Sequence, residues 1–262
     1  LKKSTHFTHA ISRTPSKSIV NGLRAVDLGA PDYDTLMRHH ESYVAALRST
    51  GSKVMVLPAL EEFPDGVFVE DTALCLQELA IIMRPGAPSR LGEAAAMRPN
   101  LETIYSTVAQ IKGPGFIEGG DILMSEHEIL VGLSDRTTQE GVDELAEILA
   151  PFGYNVRVVQ TPPGVLHFKT DCSLLDANTI LSTPALDAAR CFEGYVVIHT
   201  AEGESACANS IRYNDLVLMP AGFPKTRVRV EAAGFIVREI DNSEAAKVDG
   251  GLSCMSLRFS PS

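Results

Sequence analysis

The sequence predicts an α/β protein folded as a five-bladed pseudosymmetric propeller of ββαβ units, with residues 1–262 forming one catalytic domain. A weak internal period is the first observation. Glu70, Glu118, His167, Asn209 and Cys254 follow one another at intervals of 42–49 residues, and each opens a similar local pattern. The second is that pattern itself, an apolar stretch, a polar turn and another apolar stretch, which reads as a β-hairpin. The third is that a short β-branched strand closes several of the units. Repetition at this length with several strands per unit points to a radial array. Equivalent positions of such an array converge on its axis, so the five polar residues are expected to face one central cavity. The alternative is a doubly wound α/β fold that disperses them.

In chain order, THAISR is the first candidate strand, and its partner is expected in the C-terminal CMSLRF, which would complete a unit split between the two ends. PDYDTLMRHHESYVAALRS puts Leu36, Tyr43, Val44 and Leu47 on one side of a helix. KVMVLP follows as a closing strand. LCL–QE–LAIIM and DILM–SEHE–ILVGL are the next hairpins. TTQEGVDELAEILAPFG is a second amphipathic helix, with Val142, Leu145, Ile148 and Leu149 on one face and Gly153 as its stop. NVRVVQ, the hairpin CSLL–DANT–ILST, YVVIHT, the hairpin SIRY–ND–LVLMP and FIVREI complete the series.

Composition narrows the function. A net charge of −10 disfavours a nucleic-acid partner, which calls for a basic face. No apolar run approaches the roughly 18 residues of a membrane helix. Five widely spaced cysteines without CxxC spacing suggest neither a disulfide framework nor a zinc finger, and they suit a reducing, cytoplasmic setting. LKKSTHFTHA has charge but no apolar core, so no signal peptide is expected there. GxGxxG, P-loop and HExxH motifs are absent, so neither a cofactor nor a metal is expected. A homodimer is compatible with the sequence.

Cys254 sits in DGGLSCMSLRF, where Gly250 and Gly251 allow close backbone approach. A cysteine nucleophile needs a base or a positive field to form thiolate. His167, between a Pro-Gly loop and a strand, is the best placed of seven histidines. For either residue alone a plain structural role is the commoner outcome; the shared repeat phase raises the pair. FPDGVFVED contributes Asp65, Glu70 and Asp71, and PGFIEGGD contributes Glu118 and Asp121. Apolar pairs before Glu70 and Glu118 place those carboxylates at inner strand ends, where they need a cation or donors. A planar guanidinium meets a carboxylate with two parallel hydrogen bonds. An acidic site beside a thiol therefore suggests chemistry on a cationic amidine or guanidine. Arg90 and Arg136, each just past the second strand of a unit, could hold a carboxylate at the other end of such a ligand.

FPDGVFVED, RPGAPSR, FIEGGD, LSDRT, VLHFKT, MPAGFPKTR and DGGLSCMSLRF, in this order over roughly residues 7–259, resemble the dimethylarginine dimethylaminohydrolases of the guanidine-modifying (amidinotransferase) superfamily. The resemblance implies a five-fold pseudosymmetric propeller of ββαβ units, the pentein fold. It implies hydrolysis of Nω-methylated arginines to citrulline and a methylamine through a covalent cysteine thiouronium, without a cofactor. It carries over Cys254 as nucleophile, His167 as general acid/base and Glu118 as their acidic partner. Asp71 with Glu70 would bind the guanidinium. Asp65 and the Leu23 backbone would hold the amino-acid end, with Arg90 and Arg136 clamping its carboxylate. The Val248 carbonyl and Asp249 would line the site beside the nucleophile. SKSIVNGLRAVDLGAP resembles a mobile lid, and its two glycines suit one.

Arginine deiminases of the superfamily usually carry Arg-Asp where this chain has Glu70-Asp71, and His-x-Asp where it has His167-Phe168-Lys169. A site without the second aspartate has fewer acceptors and leaves room for N-methyl groups. A deiminase-type hydrolase and a non-catalytic binding protein on the same scaffold are the competing readings. A papain-like protease fits less well, because its nucleophile precedes its histidine in the chain.

Overall fold

The computed structural model describes residues 4–262. Five three-stranded sheets stand around a common axis, and all share one topology. In each sheet the first strand runs antiparallel to the middle strand, and the third runs parallel to it after a helical crossover. The first sheet is the split one. Its middle strand β1 (His9–Arg13) pairs in parallel with β2 (Lys53–Leu57) and antiparallel with β15 (Leu257–Phe259), in the register Ile11 opposite Leu257. β3 (Ala73–Cys75), β4 (Ala80–Ile82) and β5 (Val108–Gln110) form the second sheet; β6 (Ile122–Met124), β7 (Ile129–Leu133) and β8 (Val156–Gln160) form the third. The fourth is β9 (Cys172–Leu174), β10 (Thr179–Ser182) and β11 (Val196–His199); the fifth is β12 (Ile211–Tyr213), β13 (Leu216–Pro220) and β14 (Ile236–Ile240). The predicted five-bladed fold is the observed one.

Burial explains which strand lies inside. β3 and β9 are wholly buried, whereas β2, β11 and β14 alternate or face water. The short inner strands touch those of the adjacent blade, as β15 does β3 and β9 does β12. Helices cover the outside. α1 (Tyr33–Arg48) is capped by Asp32, whose side chain accepts from Thr35 N, and it buries the predicted Leu36, Tyr43, Val44 and Leu47. At about 25 cal/mol per Å², each such large side chain contributes roughly 1.5–3 kcal/mol. Fully buried Tyr43 shares a 2.6 Å hydrogen bond with Ser256 Oγ, which ties the helix to the strand that closes the ring. α3 (Gln139–Leu149) starts at the Thr138 cap, and the chain leaves it through the left-handed Gly153, as expected.

The sequence pattern left four helices unplaced, Leu91–Glu102, Pro184–Ala188, Pro224–Ala232 and Ser243–Ala246, and missed one strand. α2 (Leu91–Glu102) contains Gly92 and Pro99 and keeps only Glu93, Ala94, Met97 and Leu101 buried, too broken a stripe for the periodicity argument. β5, with half-buried Val108 and Ala109 and exposed Gln110, has no β-branched run like those of the other closing strands.

Five single helical turns carry the functional end of the molecule: Val69–Thr72, Gly119–Asp121, Phe168–Thr170, Ser205–Ala208 and Ser253–Met255. Each lies at the repeat position and leads towards the inner strand of a blade. The first contacts both the second and the fifth, the second contacts the third, and the third contacts the fourth.

Candidate active site

The repeat delivers Glu118 and His167 just before their turns, Glu70 and Cys254 within theirs, and Asn209 just after. Close approach of the turns demands glycine. A Cβ at Gly119 would fall 2.0 Å from Glu70 O, and one at Gly120 would fall 2.8 Å from Asp71 Oδ1 and 2.9 Å from His167 Cγ. Gly120 N instead donates to Asp71 Oδ1 at 2.8 Å. The EGGD run is thus a spacer set by its neighbours.

His167 Nε2 lies 2.6 Å from Glu118 Oε2. Glu118 is completely buried, and its other oxygen accepts from Gly86 N at 2.9 Å and Arg136 Nη1 at 3.4 Å. Burial alone would neutralise both groups. For His167, Asp71, the Glu118 hydrogen bond and the Asp121 and Glu118 charges outweigh that, and its pKa is pushed up to about 9. For Glu118, burial is outweighed by the His167 bond and charge, with Arg90 and Arg136, and its pKa is pulled down to about 2. The pair is therefore imidazolium and carboxylate at neutral pH. Cys254 sits in the opposite field. Burial, then the Glu70 and Asp71 charges, raise its thiol to about 12, against the weaker help of Gly251 N at 3.4 Å and Ser253 Oγ at 4.0 Å. The resting cysteine is a thiol, and a cation placed beside Asp71 would reverse that field.

A small cavity of about 40 Å³ gathers Leu23, Asp65, Asp71, Arg90, Arg136, His167, Asp249 and Cys254, with Phe68 and Leu166 as apolar walls. Residues 23–25 form a cover at its edge. Asp65 Oδ1 accepts from Leu23 N at 3.0 Å, and Asp249 Oδ2 accepts from Ala25 N at 2.6 Å.

Three candidates lie elsewhere. Glu118 sits behind His167. The Val248 side chain is packed in the core, leaving only its backbone for a ligand. Glu70 requires a correction. It was expected to bind a guanidinium beside Asp71 and to face the cavity of Cys254, but its carboxylate turns into a second cavity, of about 100 Å³. There Oε1 accepts from Lys169 Nζ and Arg258 Nη2, both at 2.6 Å, and Oε2 from Ser253 Oγ at 2.8 Å. A fully buried carboxylate takes the strongest donors in reach, and here these are two cations. Lys169 also lines that second cavity. The expected selectivity from Lys169 at a deiminase acid position therefore has no direct geometric basis. The common cavity expected for the five repeat residues is likewise shared only by His167 and Cys254; Asn209 Oδ1 accepts from Ser253 N at 2.9 Å.

Arg90 is more constrained than a free clamp. Nη1 donates to Asp71 Oδ2 at 2.6 Å, Nε and Nη2 to Glu93 Oε2 at 3.0 and 2.8 Å, and Nη2 to Phe68 O at 2.8 Å. Of five guanidinium hydrogens, one on Nη1 remains for a ligand. Arg136 is more open, with the long Glu118 contact as its charged partner. Sequence reasoning missed Glu93, whose helix it did not detect. It named Asp121 without a role. Asp121 is fully buried and accepts from Ser134 Oγ and Thr137 Oγ1 at 2.7 Å and from Phe168 N at 2.8 Å, which pins the backbone next to His167. Asp71, Glu118 and His167 bring ligand-type atoms within 4.8 Å of one another. The ion pair, Arg90 and Gly120 already engage those atoms, so the set is arranged for hydrogen bonding rather than for a cation.

A family profile described as N,N dimethylarginine dimethylhydrolase, eukaryotic, matches residues 32–170. The N(G),N(G)-dimethylarginine dimethylaminohydrolase of Pseudomonas aeruginosa is 42% identical over 97% of this chain and 100% of its own length. The chain belongs to the dimethylarginine dimethylaminohydrolase family. The Streptomyces coelicolor dimethylarginine dimethylaminohydrolase is 30% identical over 95% of this chain and 96% of its own. Among solved structures, the P. aeruginosa dimethylarginine dimethylaminohydrolase, as a cysteine-to-serine mutant complexed with citrulline, superposes with a TM-score of 0.94 at 41% identity, covering 97% of this chain and 100% of that one. A dimethylarginine dimethylaminohydrolase adduct with S-methyl-L-thiocitrulline gives 0.93 at 41% identity with the same coverage. The N-terminal domain of ArgZ, at 20% identity and a TM-score of 0.85 over 97% of this chain and 98% of that one, shares the fold. Among the described residues no helix is long and apolar enough to cross a membrane.

Proposed function

We propose that this member of the dimethylarginine dimethylaminohydrolase family hydrolyses asymmetric dimethylarginine and monomethylarginine to citrulline and dimethylamine or methylamine. The observation that carries the proposal is the meeting of Cys254, His167 and Asp71 at one cavity, with His167 already ion-paired to Glu118. The substrate guanidinium lies against Asp71, while its amino-acid end reaches Asp65, the Leu23 backbone, Arg90 and Arg136. Its positive charge offsets Glu70 and Asp71, the two charges that hold the Cys254 thiol up, and the thiol releases its proton to solvent.

The thiolate then attacks the guanidinium carbon. Nε2 of His167 is engaged with Glu118, so Nδ1 is the atom that hands a proton to the departing amine. An unprotonated amine anion cannot leave, which makes this proton transfer obligatory. As the carbon–nitrogen bond breaks, a covalent thiouronium remains on Cys254. His167, now neutral, takes a proton from water as its oxygen adds to the same carbon. The carbon–sulfur bond breaks, the added hydroxyl releases its remaining proton to solvent, and citrulline and the thiolate separate. Glu118 holds the imidazole in place and favours its charged form once the water proton has reached it. The Val248 carbonyl and Asp249 flank the thiol side of the cavity, and Asp249 fastens the cover above it.

The test is citrulline formation from asymmetric dimethylarginine, monomethylarginine and arginine. Turnover of the methylated substrates that disappears in Cys254→Ser and falls about 10²–10⁴-fold in His167→Gly supports the assignment. Arginine turned over as well as the methylated forms would instead favour a deiminase.

A further inference from the structure

We propose that Asn209, which lies outside the substrate cavity, is a positioning residue that sets where the Cys254 sulfur stands; the proposal rests on Cys254 being the nucleophile. Asn209 ends the turn Ser205–Ala208 in the fourth repeat position, and the nucleophile turn Ser253–Met255 occupies the fifth. Its side chain holds the second turn on two sides. Oδ1 accepts from Ser253 N at 2.9 Å, fixing the residue directly before the nucleophile. The amide plane also fills the space where Gly251 would carry a side chain: a Cβ there would lie 2.1 Å from Asn209 Nδ2 and 2.2 Å from Cγ. Gly251 N is the group that points at Cys254 Sγ, 3.4 Å away. One amide therefore braces both the peptide that donates towards the sulfur and the peptide that bears it. Asn209 is 6% exposed, and the bond it makes joins two blades.

Three variants and a thiol probe test this. In Asn209→Ala the turn loses its acceptor and its wedge, and a shift of about 1 Å at the sulfur costs about 10²-fold in kcat. KM should stay within about threefold of the unmodified protein, because the residue does not touch substrate. Asn209→Asp keeps the shape and the acceptor but adds a charge that, like Glu70 and Asp71, holds the thiol up, so its loss in kcat should shrink as pH is raised, whereas a displaced sulfur in Asn209→Ala is not recovered that way. The rate of alkylation by iodoacetamide as a function of pH, measured without substrate, should have a displaced midpoint in Asn209→Ala. Gly251→Ala should reproduce the Asn209→Ala defect, and the double variant should be no worse than the worse single one, since both act on one contact.

All activities are taken per folded molecule, counted by circular dichroism. Unchanged kcat and an unchanged alkylation profile in Asn209→Ala overturn the proposal, as do fully additive losses in the double variant. If Asn209→Ala does not fold, the proposal is judged on Gly251→Ala, where a normal alkylation profile overturns it. An unmodified protein that forms no citrulline sinks the assignment of function instead, which the substrate-free alkylation readout keeps distinct.

Discussion

Replacing Glu118 by glutamine removes a charge from the most buried contact of the site while nearly preserving its shape. The substituted amide can still accept from Gly86 N and can still face His167. What it cannot do is hold the imidazolium. In the unmodified protein the His167 pKa stands at about 9, so at pH 7 the charged form outnumbers the neutral one by roughly 100 to 1. Without the Glu118 carboxylate, burial still pushes the pKa down, and only Asp71 and Asp121 oppose it. A fall below 7 would make the neutral form the majority at pH 7. If leaving-group protonation needs the charged form, kcat at pH 7 should drop about tenfold for each unit by which the pKa falls below 7, with more lost if the ring turns. Two measurements check this. The His167 ring signals, followed by NMR against pH, should titrate at lower pH in Glu118→Gln. The alkaline limb of the kcat profile should move the same way, so that part of the lost rate returns as pH is lowered. A midpoint that stays near 9 would refute the account of His167 as held charged by Glu118 together with Asp71 and Asp121.

The same ion pair predicts a stability profile. The raised pKa of His167 contributes stability that is fully present below its ordinary 6.5 and is lost as pH rises through about 9; the lowered pKa of Glu118 contributes above its ordinary 4.5 and is lost as pH falls through about 2. The urea midpoint should therefore decline between pH 6.5 and 9, and by less in His167→Gly. Lys169→Met should lower the melting temperature, because Glu70 keeps only Arg258 and Ser253 as partners. It should leave the ratio of kcat/KM for methylated over unmethylated arginine within about twofold, a limit set by reading that ratio as transition-state binding; a collapse of the ratio would show that Lys169 reaches the substrate. Gly120→Ala would force a methyl between Asp71 and His167 and should cost at least about 10²-fold in kcat, measured as citrulline release; near-normal activity would show that the turns can part.

The blades were legible in the sequence because a hairpin and its polar turn leave a local mark, and because the polar residue of each unit recurs at one phase. α1 and α3 were legible for the same reason, with apolar residues spaced for one face. α2 was not, since its packing relies on small Ala94 and on a face interrupted by Gly92 and Pro99. At the site, phase identified Cys254 and His167, but phase specifies the position of a backbone and not the direction of a side chain. Glu70 and Glu118 occupy matching positions. One turns to Lys169 and Arg258, the other to His167, and the choice was made by cations that lie 99 or more residues from Glu70 and 49 from Glu118. Glu93 was illegible for a similar reason. Its importance comes from one arginine three residues before it, whose other contacts are far away in the chain.

The pairing of Ile11 with Leu257 has a temporal meaning. Synthesis proceeds from the amino terminus, so β1 emerges early and waits for a partner that follows the nucleophile by three residues. Four of the turns that surround the site are made before Cys254 exists. Until Leu257–Phe259 joins the first sheet, that sheet lacks one of its three strands and the ring has a gap. A nascent or shortened chain thus lacks the assembled site, and turnover is expected only from a molecule that has finished folding. Appearance of activity during refolding should coincide with the slowest step, the joining of the most distant contacts.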